Sequence, residues 1–182
     1  MATDRYSRPA ADVSVDFLNA QLPVRFPQAG PSNPVPAIVF DVDGTLVDVA
    51  QLAEQHLSKK PKDWAAFHNG SLHAAPHQWV VDAARDAYGQ GYAVLVVTAR
   101  MSDYSGVTAQ WLDNQPVPRD RMYMRSSGDY RPDRQVKADI VAQILADGFL
   151  ITHAYDDNPA VLALWADIGV PTTVVPSHLQ RP

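Results

Sequence analysis

The 182-residue sequence contains no cysteine. A disulfide framework, a thiolate metal site and a cysteine nucleophile are therefore excluded. Long apolar runs are also missing: no stretch approaches the roughly 18 uninterrupted apolar residues of a membrane-spanning helix, and the N-terminal residues lack an apolar run after their charged ones. We predict a cytoplasmic protein that does not contact a membrane.

Basic residues are in the minority, with 15 Lys and Arg against 20 Asp and Glu and a formal net charge of −5. This balance disfavours a general nucleic-acid coat protein, which normally carries a basic face. The segment 119–137 is an exception, because its six basic and three acidic residues give a local charge of +3. Such a segment can steer a nucleotide or a strand end towards a site.

The chain divides into a proline-rich leader, residues 1–36, and one domain, residues 37–182. In the domain, short β-branched runs alternate with segments whose apolar residues recur every three or four positions. This alternation predicts an α/β fold, a Rossmann-like, doubly wound parallel sheet with helices on both faces and with Trp79, Trp111 and Trp165 in the core. The predicted strands are 37–40, 92–98, 121–124, 149–155 and 171–175, and the predicted helices are 77–88, 105–114, 134–148 and 159–169.

Polar side chains suited to catalysis or metal binding follow the predicted strands. The sequence FDVDGTL (40–46) ends the first strand, and period-two alternation points Asp41 and Asp43 to the same side. Because ligand sites of doubly wound sheets lie beyond the carboxyl ends of the strands, the other strand ends belong to the same site. Several carboxylates at one edge repel one another, and their oxygen atoms suit a hard cation such as Mg²⁺. The further members of this group are Thr98, Lys137, Asp156 and Asp157.

The motifs FDVDGTL, VVTAR, Lys137 and YDDN, in this order, resemble those of the haloacid dehalogenase (HAD) superfamily of aspartate-dependent phosphohydrolases. The resemblance extends from residue 37 to about residue 177 and implies a five-stranded sheet of order 5-4-1-2-3. It also implies a covalent aspartyl-phosphate mechanism with Mg²⁺. A receiver domain of two-component signalling uses similar residues but places its acidic pair after the first strand, so the motif order favours the phosphohydrolase.

The resemblance assigns four catalytic residues. Asp41 is the expected nucleophile that attacks phosphorus. Asp43 is the expected general acid and base, which protonates the leaving oxygen and then deprotonates the attacking water. Thr98 and Lys137 are expected to bind the non-bridging phosphoryl oxygens.

The same resemblance assigns the metal ligands and the turn that follows the nucleophile. Asp41 and the backbone carbonyl of Asp43 would bind Mg²⁺ together with Asp157, and Asp156 would support them. Gly44 permits the tight turn, and Thr45 would support the orientation of the nucleophile at the substrate-binding edge.

A narrower resemblance, to the 3′-phosphatase domain of phage-type polynucleotide kinase/phosphatases, rests on FDVDGTL, GYAVLVVTAR, DRQVK and AYDDNPAVLALWADIGVPTTVV. It implies substrate-binding or supporting roles for Arg100 and Asp133. Arg125, with Arg131, is a further candidate to contact a second phosphate. Two features differ from that family: no G-x-x-x-x-G-K-[ST] motif occurs, and the segment VDVAQLAEQHL contains no Arg.

The expected substrates are nucleic-acid 3′-phosphate ends or nucleotides. A general small-molecule HAD phosphatase and a catalytically idle phosphate-binding module are the alternatives. Lys137 and Asp133, four residues apart, could also form only a surface ion pair.

The segment 47–76 is a small flap, because its roughly 30 residues are fewer than the about 50 that an independent cap domain needs. The site should therefore be open to a bulky or polymeric substrate. Within the flap, Trp64 and Phe67 are candidates to stack on a base. The histidines of HNGSLHAAPH (68–77) match no familiar zinc spacing and leave a substrate-facing role open.

Overall fold

A computed structural model describes residues 33–176, and most of the predicted leader lies outside them. Five strands pair in parallel in the order β3-β2-β1-β4-β5. Read from the other edge, this is the expected order 5-4-1-2-3, so the α/β fold is confirmed. The strands are β1 (Val35–Phe40), β2 (Ala93–Met101), β3 (Arg121–Arg125), β4 (Phe149–Asp156) and β5 (Thr172–Val174).

Six α-helices lie in the described part of the chain. The four that apolar periodicity predicted are present within a few residues of their expected bounds. Two shorter ones, α1 and α2, lie in the flap and are followed by a 3₁₀ turn at Ser71–His73. The helices are α1 (Ala50–Leu57), α2 (Trp64–Gly70), α3 (Gln78–Gly89), α4 (Ser105–Asn114), α5 (Asp133–Ala146) and α6 (Pro159–Asp167). No described helix is long and apolar enough to cross a membrane.

The sheet is covered on both faces. Strand β1 sends Ala37 and Val39 into the core beneath α5 and α6, whereas Phe40 joins the core beneath α3, α4 and the flap. Burial on both faces explains why the central strands are apolar without alternation. Trp165 and Trp111 are buried in these two cores, as predicted.

The prediction of a core position was wrong for Trp79. Helix α3 buries Val80, Val81, Ala84 and Ala87, and this stripe leaves Trp79 to one side, 47% exposed. Its indole lies 6.3 Å from the ring of Tyr155, at the edge of the core. The error came from giving the residue type more weight than its position on the helix.

Candidate active site

Three buried aspartates meet at the carboxyl ends of β1 and β4. Asp41 follows β1, and its backbone N–H donates to the carbonyl of Tyr155 in β4 at 3.0 Å. Asp156 and Asp157 follow directly, so the parallel pairing of the two strands brings all three side chains together. Each offers a carboxylate oxygen within 4.8 Å of the other two, a group that can hold a metal ion.

Lys137 of α5 lies buried beside this cluster. Its Nζ donates to Asp41 Oδ1 at 2.7 Å and to Asp156 Oδ2 at 2.8 Å. Burial disfavours its charge, but the carboxylates of Asp156 and Asp41 outweigh burial and raise the pKa of Lys137. The interpretation of Lys137 and Asp133 as a surface ion pair was wrong, because Lys137 is buried and pairs with other carboxylates.

The cluster retains more negative charge than Lys137 balances. Burial raises the pKa of Asp41 well above its ordinary value, Lys137 acts in the opposite direction, and Asp156 and Asp157 raise it further. Three buried carboxylates carry more negative charge than one ammonium group balances, so a further positive charge would stabilise them. The donor set, all oxygen and all acidic, fits a hard divalent cation.

The turn after β1 is shaped around Asp157. Gly44 has φ +81°, and a Cβ at this position would collide with the Asp157 carboxylate, so only glycine fits. The hydroxyl of Thr45 lies 3.5 Å from Asp157 Oδ1 and is fully buried. Gly44 and Thr45 thus lie behind the carboxylates and do not line the cavity, and a contact between them and substrate stays a prediction.

Asp43 is held from the side by Arg100. The guanidinium donates from Nε to Oδ2 at 2.8 Å and from Nη2 to Oδ1 at 2.6 Å, and its Nη1 donates to Thr108 Oγ1 at 3.1 Å. Arg100 is buried, whereas the side chain of Asp43 is 24% exposed. This bidentate pair fixes the plane of the Asp43 carboxylate at the edge of the cavity. The backbone N–H of Arg100 also donates to Thr98 Oγ1 at 3.2 Å.

Arg125 braces the loop between β3 and α5. It donates to the carbonyls of Ala99, Asp129 and Arg131 and, at 2.5 Å, to the carboxylate of Asp133. Because most of its N–H groups are engaged in this way, the guanidinium primarily positions the loop. A contact between Arg125 or Asp133 and a second phosphate stays a prediction.

These groups open into a cavity of about 780 Å³ between the sheet edge and the flap. The structure brings the expected catalytic residues Asp41, Asp43, Thr98 and Lys137 to one wall of it, whereas Asp156 lies beneath the surface. Sequence reasoning missed two aromatic residues that line the cavity, Tyr104 and Tyr130, because neither belongs to a motif or an apolar stripe. The other expected residues on the lining are Trp64, Phe67, Arg100, Arg125, Arg131, Asp133 and Asp157.

A buried acidic cluster with a lysine lies at the carboxyl ends of a parallel sheet of order 3-2-1-4-5, which is the arrangement that the resemblance to HAD phosphatases predicts. The family model described as the polynucleotide kinase PNKP phosphatase domain matches residues 35–177. The chain belongs to this family.

Solved structures show the same fold. Chains in two structures of a Pnkp1/Rnl/Hen1 complex, one described as an RNA repair complex, are 22% and 21% identical to this chain, each with a TM-score of 0.67. The matches cover 84% and 82% of this chain but 45% and 48% of those chains, so this chain spans about half of their length. A class C acid phosphatase from Bacillus anthracis with tungstate bound is 16% identical, with a TM-score of 0.60, over 82% of this chain and 69% of that one.

Proposed function

We propose that this chain is a Mg²⁺-dependent phosphomonoesterase that forms an aspartyl-phosphate on Asp41 and acts on nucleic-acid 3′-phosphate ends. The observation that carries the proposal is the position of Asp41. Its carboxylate lies on the cavity wall, its Oδ1 accepts from Lys137 Nζ at 2.7 Å, and Asp43 lies on the same wall. The proposed nucleophile, cation and acid/base group thus line one cavity.

The first half-reaction transfers the phosphoryl group to the protein. A carboxylate oxygen of Asp41 forms a bond to phosphorus as the bond from phosphorus to the leaving oxygen breaks, and Asp43 gives that oxygen its proton. Lys137 balances charge on the phosphoryl oxygens, and Thr98 donates its hydroxyl to one of them. The products are the aspartyl-phosphate and the free alcohol.

The second half-reaction releases phosphate. Asp43, now a carboxylate, takes a proton from a water molecule whose oxygen attacks phosphorus, and the bond between phosphorus and Asp41 breaks. Arg100 orients the Asp43 carboxylate that takes this proton. Mg²⁺, when held by Asp41, Asp157 and the carbonyl of Asp43 with Asp156 in support, supplies positive charge that offsets the repulsion between the phosphate and the carboxylates.

Three features favour a nucleic-acid end over a small ester. The family is the phosphatase domain of the polynucleotide kinase PNKP, and two of the similar chains come from structures of a Pnkp1/Rnl/Hen1 complex, one of them described as an RNA repair complex. The cavity, about 780 Å³, is much larger than a phosphoryl group. The segment 119–137, with its local charge of +3, contributes three basic residues (Arg125, Arg131 and Lys137) and two acidic ones (Asp129 and Asp133) to the lining.

Phosphate release from a matched panel tests the proposal. The panel contains a 3′-phosphorylated oligonucleotide, the same oligonucleotide phosphorylated at its 5′ end, 3′- and 5′-mononucleotides, a sugar phosphate and p-nitrophenyl phosphate. We expect strong preference for the 3′-phosphorylated oligonucleotide. Preference for the sugar phosphate or the other small esters would establish the general small-molecule phosphatase. Phosphate binding without any turnover would establish the idle module.

Removal of the metal is expected to abolish turnover. Without a divalent cation the cluster of Asp41, Asp156 and Asp157 repels a phosphate dianion, so EDTA should abolish phosphate release and excess Mg²⁺ should restore it. The measurement is the initial rate on the 3′-phosphorylated oligonucleotide before chelation, after chelation and after addition of Mg²⁺. A rate indifferent to chelation would refute the metal site.

A further inference from the structure

An aromatic wall borders the cavity, formed by Trp64, Phe67 and His68 of the flap and by Tyr104, which follows β2. The indole of Trp64 lies roughly parallel to the imidazole of His68, with 5.9 Å between ring centroids and an interplanar angle of 24°. The imidazole in turn lies 4.4 Å from the ring of Tyr104, and Phe67 meets Trp64 edge-on at 5.9 Å. Phe67 is buried, whereas Trp64 is 49% exposed and borders the cavity.

None of these rings takes part in the proposed phosphoryl transfer. The wall faces the same cavity as Asp41 and Asp43, and three of its four rings belong to the flap rather than to the strand ends. When the phosphate of a substrate lies at Asp41, the part of the substrate that contacts the wall is its organic part. This is the part that leaves with the alcohol oxygen.

The imidazole of His68 adds no charge to the aromatic wall. The imidazole is more than nine-tenths buried, and its Nδ1 has no hydrogen-bond partner in the described part of the chain. Burial lowers the pKa of His68 to about 4, against an opposing effect of Asp43 and with a smaller contribution from Arg100, so the ring is neutral at physiological pH. A neutral, flat surface suits a planar organic group better than it suits a phosphate anion.

We infer that the aromatic wall is the subsite for the base of the 3′-terminal nucleotide, which stacks on Trp64 while its 3′-phosphate faces Asp41. The inference rests on the proposed function and names the leaving-group side of that same site. Aromatic rings bind unpaired bases by stacking, which tolerates any sequence because every base has a π face. The Nζ of Lys62 lies over the Trp64 ring, 5.4 Å from its centroid, so this mobile side chain moves aside when a base stacks there.

The exposure of Trp64 alone does not carry the inference, and Trp79 shows why. Trp79 is exposed to nearly the same extent, 47% against 49%, but it lies on α3 and does not line the cavity. The two tryptophans therefore form a matched pair, one beside the proposed base site and one away from it.

The test compares two oligonucleotides that both end in a 3′-phosphate, one with a normal terminal nucleotide and one with an abasic terminal residue. Trp64→Ala is expected to lower kcat/KM for the normal end by about 5- to 150-fold, the range that base stacking supplies, mainly through KM. The same substitution should change kcat/KM for the abasic end less than about twofold. Trp64→Phe should restore most of the loss, and Trp79→Ala should leave both substrates unchanged.

Two results would overturn the inference. Equal losses on both oligonucleotides would show that Trp64 acts only through the structure of the flap, and no loss on either would show that the base lies elsewhere. Measurements on the wild-type chain distinguish failure of the base site from failure of the proposed function. Hydrolysis of both 3′-phosphorylated oligonucleotides with no effect of Trp64→Ala refutes the base site alone, whereas no hydrolysis of either by the wild-type chain refutes the proposed substrate.

Discussion

Replacement of Asp41 by asparagine is expected to abolish phosphate release, with a fall in kcat of about 10⁴-fold or more. The amide keeps the shape of the side chain but has no anionic oxygen to attack phosphorus. The substitution also removes one of the three carboxylates that form the candidate metal site. The measurement is phosphate release from the 3′-phosphorylated oligonucleotide at saturating Mg²⁺.

The fold should survive this substitution. The hydrogen bond from the backbone N–H of residue 41 to the carbonyl of Tyr155 does not involve the side chain, and the change removes one of three neighbouring buried negative charges. Circular dichroism and the thermal midpoint check this point. Asp82→Asn is the matched control, since Asp82 lies exposed on α3 and pairs only with surface groups. Substantial phosphatase activity of Asp41→Asn in a contaminant-free preparation would refute Asp41 as the nucleophile.

Replacement of Lys137 by methionine is expected to damage both stability and activity. Methionine has a similar length but leaves the buried carboxylates of Asp41 and Asp156 without their partner. Removal of one member of a buried ion pair costs about 3–5 kcal/mol. The free energy of unfolding, measured by urea titration in EDTA, should fall by this amount, and kcat should fall by about 10²- to 10³-fold because a charge facing the phosphoryl group is lost.

A second substitution tests whether the loss comes from the unpaired carboxylates. The double variant Lys137→Met and Asp156→Asn should be more stable in EDTA than Lys137→Met alone, since one of the two uncompensated charges is gone. Added Mg²⁺ should also stabilise the single variant. Lys59→Met, at an exposed position, is the control. If Lys137→Met unfolds at the same urea concentration as the wild-type chain in EDTA, the buried cluster does not depend on this lysine.

The sequence was sufficient to predict the sheet and the position of the site. Helices α3 to α6 have apolar stripes long enough to recognise, and the strand ends carry the motif residues, so the topology alone brings Asp41, Lys137 and Asp157 together. The flap helices α1 and α2 were missed because they are only 8 and 7 residues long and bury few side chains. A short amphipathic segment of this kind gives too weak a periodic signal.

The side-chain pairings inside the site were beyond sequence reasoning. Arg100, which makes the bidentate contact with Asp43, lies where the register of β2 against β3 shifts between Thr98 and Met101, and no residue pattern predicts this shift. Arg125 looked like a phosphate ligand because it lies in a basic segment. Its donors also hold the loop before α5, a role that becomes visible only when the backbone carbonyls are placed, and its contact with a second phosphate stays a prediction.

The central claim is the covalent intermediate on Asp41, and the reaction of Asp43→Asn with p-nitrophenyl phosphate tests it most directly. The nitrophenolate leaves without needing a proton, so the first half-reaction should proceed, whereas the second lacks its base. We predict a burst of nitrophenolate approaching the amount of enzyme, followed by slow turnover. Borohydride added during the burst should reduce the acyl phosphate, so that the tryptic peptide 26–59 contains homoserine at position 41. The absence of both burst and reduced product, or reduction at another residue, would contradict the account.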